Sequence, residues 1–160
     1  RAGDGHQLHV TGLTHDERGY PATDAATHER LVRRLSAKVH HASPHLVDAR
    51  EMGVDDAEVV VIAYGGAARS AMRAVSAARA AGLRAGLFRP ITLWPFPAER
   101  IAALGRRNVP IVVAEMNLGQ FAREVERHIR REVRTVTHAG GLLLPPDQIL
   151  TALREAHQHR

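Results

Sequence analysis

A chain of 160 residues, 44% hydrophobic and 4% aromatic with a formal net charge of +5, has the length and apolar content of one globular domain with a covered core. The absence of cysteine excludes disulfides and any thiolate-ligated zinc or iron–sulfur cluster on this chain. There is no run of about 20 uncharged apolar residues and no apolar signal core, so the chain reads as cytoplasmic with no membrane partner, and its start at Arg1 rather than Met fits part of a longer polypeptide.

The first residues, "GDGHQLHVTGLTHDERGYPATD", are rich in Gly, Thr, Asp and His and lack periodicity, which describes an arm. A helix is expected over Ala25–His40 with Leu31, Val32 and Leu35 inward, and Pro44 should break it between His41 and His45. "LVDAREMG", Leu46 to Gly53, reads as a short extra strand. The division is therefore an N-terminal arm and helix over 1–45 and an α/β domain over 46–160.

Ala57 to Gly65, "AEVVVIAYG", is a continuous β-branched run, the mark of a strand covered on both faces. A helix follows in which Ala68, Met72 and Val75 keep the helical period and Gly82 supplies the stop. The strand Leu83–Phe88 runs into "RPITLWPFP", where Pro90 cannot donate to a ladder and Pro97 suits the first turn of a helix that Gly105 ends. Pro110–Glu115 is a third apolar strand, followed by "MNLGQ" and a helix with Phe121, Val125 and Ile129 on one face. Glu132–His138 alternates as an edge strand does, and Pro146 and Asp147 open a last helix whose apolar face is Ile149, Leu150 and Leu153. Strands alternating with helices in this way define an α/β fold with a parallel sheet.

The basic balance raises nucleic acid as a partner. Lys38, however, is the only lysine, and the arginines interleave with glutamate in "FAREVERHIRRE", a pattern of i,i+4 pairs such as Glu126 with Arg130 on a solvated face. No aromatic-interleaved basic platform accompanies the charge, so no nucleic acid is expected.

Ligands of open parallel sheets bind beyond the carboxyl ends of the strands. That rim carries Tyr64, Gly65, Gly66, Arg89, Glu115, Asn117 and His138. Gly65 and Gly66 enter a helix, where exposed N–H groups could hold an anion beside Arg89 or simply make a tight turn; "GGAAR" matches no full nucleotide motif. Gly65, Gly66, Arg89, Glu115 and Asn117 form the candidate anion or docking site. Asn117 reads equally as a helix N-cap or, with Leu118 and Gln120, as interface. "THDERG" offers a loop held by Asx-type bonds or a contact with another domain, and its consecutive His, Asp and Glu do not make a metal site. Gly3-Asp4-Gly5 lacks the preceding strand and the later Asn of a thiamine diphosphate motif. No catalytic, cofactor-binding or metal-binding residue is assigned.

"VTGLTHDERGYP", "VVVIAYGGAARSA", "GLFRPITLWPFP" and "VVAEMNLGQFAREVE", in this order, resemble the C-terminal region of the α subunit of 2-oxoacid:ferredoxin oxidoreductases, most of all the 2-oxoglutarate type. The resemblance implies a domain akin to the transketolase C-terminal fold, a three-layer α/β/α sandwich of about five strands, one of them antiparallel, for which "LVDARE" is the candidate. It implies a whole enzyme that uses thiamine diphosphate, Mg²⁺, an iron–sulfur cluster and coenzyme A to convert a 2-oxoacid to acyl-coenzyme A, CO₂ and reduced ferredoxin. A preceding domain of the same subunit and a β subunit would hold the cofactors. This region would then serve assembly, with Thr11, Gly12, His15, Asp16, Trp94, Phe96, Leu118 and Gln120 as interface candidates; Trp94 and Phe96 are either a lid on the domain's own core or an anchor in an interface. The alternative is a stand-alone module binding phosphate or coenzyme A.

Overall fold

The structure, a computed structural model, describes residues 3–7 and 9–159. Two compact units divide it, Arg1–Leu46 and Val47–Arg160.

In the first unit, the carboxylate of Asp24 accepts the Thr27 N–H at 2.9 Å and opens helix α1, Ala25–Leu46. The helix runs past His40 and takes Pro44 into its last turn. Two residues from the end, a proline removes only one helical bond, so it does not act as the expected break. Of the expected inward residues Leu31 is half-buried but Val32 and Leu35 are exposed, and among the described residues of this helix only Thr27 is buried. Periodicity marked the apolar stripe, but Val32 and Leu35 on it stay uncovered.

The second unit is a five-stranded sheet between two pairs of helices. In chain order it comprises β1 (Ala49–Met52), β2 (Val59–Ala63), α2 (Gly65–Ala80), β3 (Ala85–Pro90), α3 (Ala98–Arg106), β4 (Ile111–Glu115), α4 (Gln120–Ile129), β5 (Arg134–Thr137) and α5 (Pro146–Gln158). The strand order is β1-β3-β2-β4-β5. All neighbours are parallel except β1, which pairs antiparallel with β3 from Ala49 opposite Pro90 to Met52 opposite Leu87. Pro90 stays in the strand because it occupies the last register position, where one missing donor is tolerated.

Strand alternation splits the core into two. Val59, Val61, Ala63, Val112 and Ala114 face α2 and α5, with Ala67, Ala71, Val75, Ile149 and Leu153 against them. Val60, Ile62, Phe88, Ile111 and Val113 face α3 and α4, meeting Ile101, Leu104, Phe121 and Val125. Alanine dominates α2 because this helix lies close on the sheet. Gly105 does not end α3; it sits within the helix where a Cβ would come 2.9 Å from Ile129 Cβ, so its bare backbone permits the approach of α4.

Arginine side chains fasten the β1–β2 connection. Arg79 donates from Nε to Ala85 O and from Nη2 to Gly53 O, both at 2.7 Å, and also binds the Asp56 carboxylate. Arg100 reaches Ala49 O at 2.8 Å and Glu51 at 2.6 Å. Not every pairing read from the interleaved charges forms. Arg130 leaves α4 in the left-handed conformation, φ 58°, and Glu126 accepts the Val133 N–H at 3.0 Å, so the i,i+4 geometry of Glu126 with Arg130 is lost.

Candidate functional site

The carboxyl ends of β2, β3, β4 and β5 share one rim, and Glu115 closes β4 there with no exposure to solvent. A buried carboxylate requires donors, and α4 provides them. Glu115 Oε2 accepts the Phe121 N–H and Oε1 the Ala122 N–H, each at 2.9 Å. Asn117 Oδ1 accepts the Gly119 and Gln120 N–H groups at 2.8 and 2.9 Å. Four consecutive donors at the positive end of one helix are thus satisfied by two side chains of the preceding strand and loop.

Asn117 Nδ2 in turn donates to the Tyr64 hydroxyl at 2.9 Å. Burial, and then the Glu115 carboxylate, push the Tyr64 phenol above its ordinary range, against which the Asn117 amide works. The Tyr64 ring lies on Phe121 with centroids 4.9 Å apart, Phe121 meets Phe96 at 5.5 Å, and Phe96 stacks on His128 at 4.8 Å. Phe96 is therefore part of this domain's own lid. Trp94 separates from it: it is 79% exposed, as Leu118 is at 77%, and Ile91 and Leu93 are exposed beside it in sequence. Trp94, Leu93, Phe96, Gln120 and Tyr64 line an open recess of about 400 Å³.

The candidate anion residues do not gather at one point. Gly65 turns the chain out of β2 with φ +52°, a conformation side chains rarely adopt, and both it and Gly66 are exposed. Gly66 approaches Leu143, whose Cδ2 would be 3.1 Å from a Cβ there. Arg89 follows Leu87 onto the α2 side, where it lines a separate recess with Arg50, Met52 and Met72. Glu115 and Asn117 belong to the α4 cap. His138 donates its backbone N–H to Glu115 O at 3.1 Å.

In the arm, Thr11 Oγ1 and His15 Nε2 share a 2.6 Å hydrogen bond. Asp16 Oδ1 accepts the Arg18 and Tyr20 N–H groups at 2.9 and 3.0 Å, and the Tyr20 bond first, then the Arg18 guanidinium on Oδ2, hold its carboxyl below the usual carboxylate range. Gly12 is exposed with open space around it. Among the described residues no cluster of three His, Cys, Asp or Glu is placed to hold a metal ion, and no helix is long and apolar enough to cross a membrane. A recess of about 750 Å³ runs along α1 past His28, Val32, Ala37 and His41.

The double cap by Glu115 was not read from the sequence. The signal was a glutamate ending a strand of Ile, Val and Ala, since a charge in a covered strand must find donors nearby.

The second unit is thus a three-layer α/β/α domain in which Glu115 and Asn117 serve one helix start while Trp94 and Leu118 stand outward. The chain belongs to the family of pyruvate:ferredoxin oxidoreductase core domain II, whose family profile matches residues 57–149. It is 43% identical over 154 residues to the 2-oxoglutarate synthase subunit KorA of Methanothermobacter marburgensis, a match covering 94% of this chain and 41% of that protein. Identity to the ketoisovalerate oxidoreductase subunit VorB of the same organism is 42% over 122 residues, 76% of this chain and 35% of that one. The fold matches the 2-oxoglutarate:ferredoxin oxidoreductase from Magnetococcus marinus, solved with 2-oxoglutarate, coenzyme A and succinyl-CoA bound, with a TM-score of 0.77 at 26% identity over 98% of this chain and 28% of that one. The chain spans about two fifths of the length of the curated KorA relatives it matches.

Proposed function

We propose that this chain is an assembly domain of the α subunit of a cytoplasmic 2-oxoglutarate:ferredoxin oxidoreductase, docking onto the rest of its subunit and onto a β subunit, and catalytically inert by itself. The whole enzyme would convert 2-oxoglutarate and coenzyme A to succinyl-coenzyme A, CO₂ and reduced ferredoxin, using thiamine diphosphate, Mg²⁺ and an iron–sulfur cluster held elsewhere. The observation that carries this reading is the rim itself: its buried carboxylate and half-buried amide are committed to capping α4, while Trp94 and Leu118 stand exposed. An aromatic anchor ringed by apolar neighbours is the usual centre of a docking surface. Gln120 belongs to the same surface, and Thr11, Gly12, His15 and Asp16 form the arm's share of contacts. The KorA relatives, which match more of this chain than the VorB relative does, support 2-oxoglutarate as the substrate of this reading. The fit to cofactors is poor here: the chain has no cysteine for a cluster, and Asn108, the first asparagine, is far from Gly3-Asp4-Gly5.

The test compares the chain alone with the chain reassembled with the remaining subunit portions. Ferredoxin reduction by 2-oxoglutarate and coenzyme A is expected only in the assembly, and Trp94→Ala should weaken assembly at least tenfold while leaving the isolated domain folded. Turnover by the chain alone, or association indifferent to Trp94→Ala combined with Leu118→Ser, would overturn the proposal.

A further inference from the structure

The two arginines at the antiparallel edge of the sheet stand in an arrangement that folding alone does not explain. Arg50 of β1 lies directly opposite Arg89 of β3. Alternation puts both on the α2 side, as it does Met52 and Leu87, which belong to that half of the core. Like charges opposite one another across a strand pair repel. Neither guanidinium has a hydrogen-bond or ion-pair partner among the described residues, and Arg89 Nε is shut away from solvent with no acceptor. Glu51 also lines the recess beside them, but its carboxylate is bound by Arg100. Asp48, two residues before Arg50, forms an ion pair with neither. Arg79, Arg84, Arg100, Arg107, Arg131 and Arg134 end on carbonyls or carboxylates, and other arginines of this domain, Arg69 and Arg73 among them, also lack a partner among the described residues, but only this pair meets across a strand register.

We propose that Arg50 and Arg89 bind a phosphate group in the recess that they line. The recess has a volume of about 200 Å³ and is lined, besides the two arginines, by Met52, Met72, Leu87 and Glu51. It is smaller than the roughly 300 Å³ at which sites for drug-sized ligands begin, so it suits a phosphate with a small substituent and not a whole dinucleotide. Two adjacent forks match the geometry and the double charge of a phosphate, whereas a monocarboxylate would neutralise only one of them. The apolar part of the lining, Met52, Met72 and Leu87, lowers the local dielectric on that side and strengthens the pairing. On the same helix, Arg69 is about 60° round from Met72 by the helical period and adds positive potential on that flank. This site is separate from the Trp94 surface and stands whether or not the assembly reading does.

Isothermal titration of the full chain at low ionic strength with inorganic phosphate and, in a second arm, adenosine monophosphate tests the proposal, with chloride and acetate at matched ionic strength as controls. Phosphate is expected to bind at least tenfold more tightly than either control. Tighter binding of the nucleotide than of phosphate identifies the group as part of a larger ligand; equal binding identifies free phosphate. Arg50→Gln and Arg89→Gln should each weaken phosphate binding at least tenfold, and Arg89→Lys, which keeps the charge and loses the fork, about threefold. Arg50 is exposed on an edge strand, so its variant remains folded and decides the matter if Arg89→Gln does not. Phosphate binding no tighter than chloride, or binding unchanged in Arg50→Gln, overturns the site.

Discussion

Replacing Glu115 by Gln exchanges one carboxylate oxygen of a fully buried side chain for an NH₂ group and leaves its shape intact. Both carboxylate oxygens accept backbone N–H groups of α4 at 2.9 Å, so an amide can satisfy only one and must set its own NH₂ against the other. Hydrogen bonds to a charged acceptor contribute about 1.5–3 kcal/mol each, and a buried N–H left unpaired adds a penalty of about 1–3 kcal/mol. Against this, the neutral amide avoids part of the desolvation of the charge. The balance predicts a loss of about 3 kcal/mol, equivalent to a fall in Tm of roughly 6–12 °C for a chain of this size. Urea unfolding followed by far-ultraviolet circular dichroism measures it, with Glu124→Gln, a partly exposed position on α4, as a control expected to change stability by less than about 0.5 kcal/mol. A Glu115→Gln variant as stable as that control would refute the view that the carboxylate holds the helix start.

Tyr64 should titrate late. Its phenol is raised, so the protonated form is the favoured one in the fold, and its contribution is complete below the ordinary tyrosine value and lost as pH rises through the higher folded value. Absorbance titration near 295 nm should show a late phase that Tyr64→Phe removes and Asn117→Ala moves further up, since the Asn117 amide stabilises the phenolate; an unmoved phase in Asn117→Ala would contradict the 2.9 Å bond. Gly105→Ala, which by helix propensity alone would stabilise α3 by about 1 kcal/mol, should instead destabilise by roughly 1–3 kcal/mol because the new methyl meets Ile129. Arg79→Lys should lower stability by about 1–3 kcal/mol through loss of the paired bonds to Gly53 O and Ala85 O. The same Arg79 fork holds the Asp56 carboxyl below its ordinary range, so that contact is present above that range and is lost as pH falls through the lowered value. Acid titration of the variant by chemical shift should find Asp56 returned upward.

What the sequence determined by itself was the layering. Runs such as Val59–Ala63 and Ile111–Glu115 have no polar face, so they had to be covered on both sides, and the helices between them had to supply the cover. The four quoted segments likewise carried the family, because a proline-clamped "RPITLWPFP" and a later "EMNLGQ" are long enough to be distinctive. Spacing along the chain said nothing of which polar groups would meet. That Glu115 would cap α4, that Arg89 would turn to the α2 side and face Arg50 across an antiparallel edge, and that Phe96 would pack inward while Trp94 stayed out were decided by strand register and the direction of each pleat. The stripe on α1 taught the converse. Its period was legible, yet whether Val32 and Leu35 are covered depends on what lies beside the helix, and an apolar periodicity carries no information about its partner.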